Sequence, residues 1–160
     1  MANILFVDCE KCTLCGLCMM VCSFKHEGEF NPLKARITVN RYIPDGLMVP
    51  NVCWQCESPA PCEEICPVKA ITRDDQTGAL IIDHEDCTLC EACLETCPYD
   101  NIRKDPDCGA MLKCDLCGGD PECVKYCAYD VLTYMEANQG NLEKINEIKE
   151  KIRQLVVKSS

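Results

Sequence analysis

Sixteen of the eighteen cysteines in this 160-residue chain stand in four quartets, and that spacing constrains the fold more than any other feature. The first quartet is Cys12, Cys15, Cys18 and Cys22, and the second is Cys53, Cys56, Cys62 and Cys66. The third is Cys87, Cys90, Cys93 and Cys97, and the fourth is Cys114, Cys117, Cys123 and Cys127. The intervening residues number 2, 2 and 3, then 2, 5 and 3, and the same two patterns recur in the same order. A C-x2-C-x2-C step curls a loop around three corners of an iron-sulfur cubane, and the x3 step carries the last thiol one helical turn onward, toward a neighbouring cluster. Zinc uses the same thiolates but does not ordinarily take a C-x2-C-x2-C-x3-C-P run. The quartets therefore imply four 4Fe-4S clusters and a chain that serves as a path for electrons.

The recurrence of the two patterns marks residues 12–66 and 87–127 as two versions of one plan, explained most simply by duplication. C-x2-C-x2-C-x3-C is the bacterial ferredoxin pattern, in which three close thiolates hold one cubane and the fourth reaches to another. Between the second and third quartets, residues 67–72 and 79–83 read as two short strands around the turn Asp75-Gln76-Thr77-Gly78, which matches the connection between the halves of a two-cluster ferredoxin. Quartets two and three then form an inner pair, and quartets one and four an outer pair split by it. Carried over from the ferredoxin pattern, the ligand sets are Cys53, Cys56, Cys62 and Cys97, with Cys87, Cys90, Cys93 and Cys66, for the inner clusters. They are Cys12, Cys15, Cys18 and Cys127, with Cys114, Cys117, Cys123 and Cys22, for the outer ones. The expected fold class is α+β, a nested pair of bacterial ferredoxin-like two-cluster units with a C-terminal amphipathic helix. The expected boundaries are a four-cluster domain over 1–137, with an inner unit about 53–107 and an outer unit of 1–52 plus 108–137, followed by a helix and tail over 138–160.

Composition matters here for what surrounds the clusters. The apolar fraction of 48% falls to about 37% without the cysteines, so the ordinary core is thin and folding is expected to depend on cluster insertion. So many cysteines mean either a disulfide scaffold or a metal protein, and the compartment decides. Met1-Ala2-Asn3 precedes only a four-residue apolar run, with no basic segment before it, so a cytoplasmic location with reduced thiols is expected. The formal charge is −10, and sixteen thiolates set against four cores of +2 take the holoprotein to about −18. That field argues against nucleic acid and anionic membrane as partners and favours a protein with a basic face. No nucleophile with a paired base, phosphate-cradling glycine loop or dinucleotide fingerprint occurs, so no catalytic site is expected.

Several features lie outside the quartets. Residues 19–51 leave the compact spacing and are the main candidate for partner contacts. Pro67 and Pro98 follow the last cysteines of the inner quartets and are expected to stop those helices, whereas Ser23 and Ala128 in the outer ones are expected to leave them longer. Leu142, Ile145, Ile148, Ile152, Leu155 and Val156 recur at helical spacing, so residues 141–157 read as an amphipathic helix capped by Asn141, with Glu147 and Lys151 spaced to pair. Its apolar face either packs on this chain or grips another subunit. Cys9 and Cys108 are read as buried thiols without a ligand role, His26 as a loop hydrogen-bonding residue and His84 as a surface residue. Trp54 is read as a shield between its cluster and water, and Gly16, Gly118 and Gly119 as places where backbone N–H groups approach sulfide.

With the quartets laid out, residues 2–135 resemble the four-cluster iron-sulfur subunits of the DMSO reductase type, which serve molybdenum and tungsten oxidoreductases, formate dehydrogenases and hydrogenases. The stretch Cys22-Ser23-Phe24-Lys25-His26-Glu27-Gly28-Glu29-Phe30-Asn31-Pro32 is similar to the small subunits that accompany tungsten enzymes of the aldehyde ferredoxin oxidoreductase family, among them aldehyde oxidoreductases and class II benzoyl-CoA reductase. The resemblance implies a non-catalytic subunit passing electrons to or from a larger catalytic subunit that carries a tungsten or molybdenum pterin, with a second redox partner. A freely diffusing soluble polyferredoxin is the alternative. The long C-terminal extensions of membrane-linked members are missing, which favours a complex without a membrane.

Overall fold

The computed structural model describes residues 3–42, 46–107 and 109–159, with side chains described through Gln154. Its strands are β1 (Asn3–Val7), β2 (Ile37–Tyr42), β3 (Leu47–Val52), β4 (Ile71–Arg73), β5 (Leu80–Ile82), β6 (Arg103–Lys104), β7 (Met111–Leu112) and β8 (Leu132–Glu136). The helices are α1 (Leu17–Glu27), α2 (Pro61–Ile65), α3 (Ala92–Thr96), α4 (Glu122–Lys125) and α5 (Gln139–Ser159). The strands pair as four separate antiparallel ribbons, β1 with β8, β2 with β3, β4 with β5 and β6 with β7. The β1–β8 register runs from Asn3 opposite Glu136 to Val7 opposite Leu132, which joins the two ends of the cysteine-bearing region. The β4–β5 ribbon sets Ile71 opposite Ile82 around the turn at Asp74–Gly78, the place where the sequence reads a hairpin.

α2, α3 and α4 are short because each ends just before its last cysteine and the chain then turns away. Lys69, Asp100 and Asp130, each three residues past such a cysteine, have φ of 55°, 51° and 50°. Their N–H groups donate to the carbonyls of Cys66, Cys97 and Cys127 at 3.2, 3.3 and 3.3 Å. This turn closes all three exits, with Pro67 and Pro98 or with Ala128, so the expectation that Ala128 lengthens its helix is corrected: α4 stops at Lys125. Ser23 behaves differently. α1 runs on to Glu27, where Gly28 at φ 72° donates its N–H to Phe24 O at 2.9 Å. The Ser23 hydroxyl, fully buried, donates to Met20 O at 2.9 Å and accepts from Asn31 N at 3.0 Å, folding the following loop back onto the helix. His26 consequently sits on α1 and not in a loop.

The apolar core has two parts. The larger gathers Leu5, Val7, Val49, Val52 and Leu132 with Ile145 and Ile152 of α5. The smaller gathers Ile71, Leu80, Ile102 and Met111 beneath the β4–β5 and β6–β7 ribbons. Ile145 and Ile152 are 2% and 1% exposed, so the described apolar face of α5 is spent on this chain's own body. The helix starts at Gln139, earlier than Asn141, because Asn138 Oδ1 accepts from Asn141 N at 3.0 Å. Lys151 Nζ lies 4.0 Å from Glu10 Oε1, so among the described residues it pairs with the segment after β1 and not, as its spacing suggested, with Glu147. The side chains of Leu155 and Val156, like Cys108, lie outside what is described. Among the described residues no helix is long and apolar enough to cross a membrane.

Candidate cluster-binding sites

One backbone device recurs in all four cysteine loops. The residue immediately before the second cysteine adopts a left-handed conformation: Leu14 (φ 59°), Gln55 (φ 48°), Leu89 (φ 56°) and Leu116 (φ 58°). A single left-handed residue tightens the loop so that the thiols on either side face one concavity, and none of the four is the glycine that this conformation favours. The residue after the second cysteine is also left-handed in the first, third and fourth quartets, as Gly16 (φ 73°), Glu91 (φ 63°) and Gly118 (φ 66°). Glu91 takes the strained conformation that Gly16 takes freely, and its carboxylate is held by Lys104.

Thiols distant in sequence meet as a result. Cys12, Cys15, Cys18 and Cys127 line one cavity, here the first site. Cys53, Cys56, Cys62 and Cys97 line another, the third site, and Cys66, Cys87, Cys90 and Cys93 line the fourth. Cys22, Cys114, Cys117 and Cys123, here called the second site, are linked by their mutual influence. Burial, then the proximity of Cys22 and Cys117, raises the Cys123 pKa, and burial with Cys53 and Cys123 raises that of Cys114. Elsewhere the pattern is the same: burial and then Cys12 and Cys15 push Cys18 up to about 12, and burial and then Cys53 push Cys62 up to about 11. These four thiols resist ionisation because they are desolvated and their neighbours are further potential anions.

The sites follow one another in a row. Cys18 and Cys22 lie one turn apart on α1 and join the first site to the second. Cys53 and Cys114 are close enough to influence each other and join the second to the third. α2, carrying Cys62 and running into Cys66, packs against α3, which carries Cys93 and runs into Cys97, and so joins the third to the fourth. Among the described residues the exposed thiols are Cys15 and Cys90, one at each end of the row.

The interior of the row holds residues that spacing alone did not single out. Lys113 is 5% exposed, and its ammonium donates to Leu80 O, to Cys114 O at 3.0 Å and to Gln55 Oε1 at 3.4 Å. Gln55 also donates to Cys114 O at 2.9 Å and accepts from Leu80 N at 2.8 Å, which ties the second cysteine loop to the fourth. The Arg73 guanidinium braces the second loop by donating to Cys56 O at 2.7 Å. Cys22 Sγ accepts a backbone N–H bond from Arg36 at 3.2 Å, and Cys97 Sγ accepts one from Asn101 at 3.4 Å. His26 Nε2 lies 3.6 Å from Cys117 Sγ and 3.5 Å from Asp115 Oδ1, with burial and then Arg36 lowering its pKa. Cys9 is a buried thiol beside Cys12, and His84 is exposed.

Iron-sulfur cores fit these sites on their donor chemistry. Four thiols crowd each one, soft ligands whose joint ionisation needs a cationic core among them. The third site adds an independent sign. Trp54 is 5% exposed and lines its wall, stacked edge-on against Tyr99 with ring centroids 6.4 Å apart, and its Nε1 has no partner among the described residues. Asn101, 7% exposed on the same wall, leaves both side-chain amide atoms without one. Buried N–H donors left bare are costly unless an acceptor arrives, and a sulfide is such an acceptor.

Comparison with known proteins bears on the same regions. A family model described as 4Fe-4S dicluster domain matches residues 44–137, and one described as 4Fe-4S binding domain matches residues 10–25. The chain is 38% identical over 132 residues to the aliphatic sulfonate oxidoreductase, polyferredoxin-like subunit, of Pyrococcus furiosus, covering 81% of this chain and 75% of that one. It is 32% identical over 130 residues to the NADH-dependent phenylglyoxylate dehydrogenase subunit beta of Aromatoleum evansii, covering 80% of this chain and 29% of that much longer one. Among solved structures, a chain of the active site complex BamBC of benzoyl coenzyme A reductase with benzoyl-CoA is similar, with a TM-score of 0.51 and 26% identity. That match covers 91% of this chain and 87% of the other.

Proposed function

Because the chain belongs to the family of 4Fe-4S dicluster-domain proteins, we propose that its four thiol sets hold four 4Fe-4S clusters in series and pass electrons between a larger catalytic subunit and a second redox partner. The chain is an electron-transfer iron-sulfur subunit of an oxidoreductase complex. The row of sites with one exposed thiol at each end is the observation that supports this most, since a series of redox centres is useful when electrons enter and leave at different places. Each cluster supplies a one-electron couple. The chain's own contribution is to hold the thiols, shield the two interior sites and leave Cys15 and Cys90 at the surface.

The nested plan is part of the proposal. β1 and β8 close an outer ferredoxin-like unit, 1–52 with 108–137, around an inner unit of about 53–107, and 138–160 is appended to the outer unit. The Cys15 end supports a place for the larger subunit. Leu17, Val21, Phe24, Lys25, Phe30, Glu122 and Tyr126 form an open groove, and Leu17 and Tyr126 also line the first site. Phe24 and Phe30 stack with centroids 4.6 Å apart while 51% and 61% exposed, an arrangement that favours burial against a stable partner. The Cys90 end is different, with exposed Asp83, Glu85 and Asp86 beside its loop, as suits a short-lived encounter with a basic carrier. The similarity of residues 22–32 to tungsten-enzyme small subunits supports a tungsten or molybdenum pterin in the larger subunit.

The test is the double substitution Phe24→Glu with Phe30→Glu in the native complex. Both side chains are exposed, so cluster absorption is expected to stay intact while the association weakens roughly tenfold or more, read by anaerobic gel filtration. A native protein that elutes as the isolated chain, with electron transfer unchanged in the variant, would replace this reading by that of a free polyferredoxin.

A further inference from the structure

We infer that the third site, Cys53, Cys56, Cys62 and Cys97, takes up an electron before either terminal site, so that the row stores charge in its interior. The inference rests on the four-cluster reading and goes beyond it. Reduction adds one electron and no proton, taking a core of +2 with four thiolates from a net −2 to −3. Whatever stabilises the added negative charge raises the potential, through fixed positive charge and hydrogen bonds to the sulfurs.

The walls of the three cavities differ in that respect. Beyond its cysteines, the first site is lined by Val39, Pro50, Val131, Leu132 and tyrosines, and the fourth by Val68, Ile71, Ile82, Met111 and the carboxylate-bearing Glu91. The third has an apolar part too, with Pro61, Leu80, Pro98 and Ile102, but it alone of the three adds Trp54, Asn101 and Lys113. Trp54 Nε1 and the Asn101 amide are buried donors that nothing described in the protein satisfies. Lys113 brings a buried ammonium whose charge is felt at Cys62 and at Cys114. Its three oxygen partners are two carbonyls and one amide, none of them a carboxylate, so its charge is solvated without being neutralised. In a poorly polarisable interior such a charge acts over several ångströms with little screening. Burial by itself opposes the more negative state, and the ammonium with the two bare donors is what reverses that preference here.

The experiment is a potentiometric titration with dithionite, followed by electron paramagnetic resonance, on the purified holoprotein and three variants. Trp54→Phe keeps a ring and removes the Nε1–H, and the cluster signal missing from a separate Cys97→Ala protein identifies the third site. That signal is expected to develop at higher potential than those of the two terminal sites, and Trp54→Phe to lower it. Lys113→Met is expected to lower its equilibrium constant for reduction roughly tenfold, which is 59 mV for one electron, and Lys113→Arg to restore it. A merely structural role for Lys113 would not be rescued in potential by the charge alone. Should Lys113→Met fail to assemble, Trp54→Phe still decides the matter. A third-site signal that develops after the terminal ones, or one that stays in place in both Trp54→Phe and Lys113→Met with full iron and sulfide, overturns the inference alone. Iron and sulfide short of four clusters in the parent protein overturn the reading beneath it as well.

Discussion

Stripped of iron by chelation under reducing, denaturant-free conditions, the chain is expected to lose its cooperative thermal transition altogether. The elements around the sites cannot stand alone. α2, α3 and α4 have 5, 5 and 4 residues, far below the roughly 12–15 at which an isolated helix becomes marginal in water. The four ribbons have two strands each, and a lone two-stranded ribbon is at best marginal. Cys22, Cys53, Cys114 and Cys123 are counted in the larger apolar core, and Cys62 and Cys93 in the smaller, so removing iron hollows both. Structural zinc contributes about 10–16 kcal/mol to small metal-ligated folds, and a loss on that scale is as large as the whole stability of an ordinary domain, about 5–15 kcal/mol. Calorimetry of the iron-free chain checks this, and a sharp transition there would show that the polypeptide carries its own stability.

Proximity of thiols was legible in the sequence because it is encoded locally. The x3 step places Cys22 a helical turn from Cys18, and the turn Asp75-Gln76-Thr77-Gly78 announces the β4–β5 ribbon by its residue types. The exit turn at Ala128 departs from the expectation because proline is not what closes these turns: the left-handed residues that do are Lys69, Asp100 and Asp130, two of them aspartates and none a glycine, so their residue types carry no strong signal. The left-handed residues in the chelating loops escaped for the same reason, being leucine three times and glutamine once. The spacing of α5 showed an apolar face but not what covers it, and Ile145 and Ile152 found their cover at long range in sequence. Lys113 gave no signal at all. Its burial depends on Gln55 and Leu80, which only the folded chain brings to it.

Cys97→Ala is expected to damage the third site and leave the fourth fully ligated, although Cys97 belongs by sequence to the quartet of Cys87, Cys90 and Cys93. Cys97 lines the cavity of Cys53, Cys56 and Cys62, and its Sγ accepts the Asn101 N–H there. A site left with three thiols is expected to lose one iron or the whole cluster, so iron falls from about sixteen per chain to between about twelve and fifteen. Cys66→Ala is the mirror image and is expected to damage the fourth site alone. Iron analysis with the cluster spectra of both variants separates them, because the spectrum lost in one is the spectrum kept in the other. Loss of the same cluster in Cys97→Ala as in Cys87→Ala would contradict the exchange.

The central claim is that four clusters lie in a row, with the last cysteine of each quartet serving the neighbouring site. Crystals of the anaerobically purified holoprotein, measured at the iron absorption edge, test it most directly. The account predicts four iron peaks in sequence, the terminal ones beside Cys15 and Cys90, with Cys66 bound to the iron shared by Cys87, Cys90 and Cys93. Fewer than four peaks, or Cys66 bound to the iron of Cys53, Cys56 and Cys62, would contradict it.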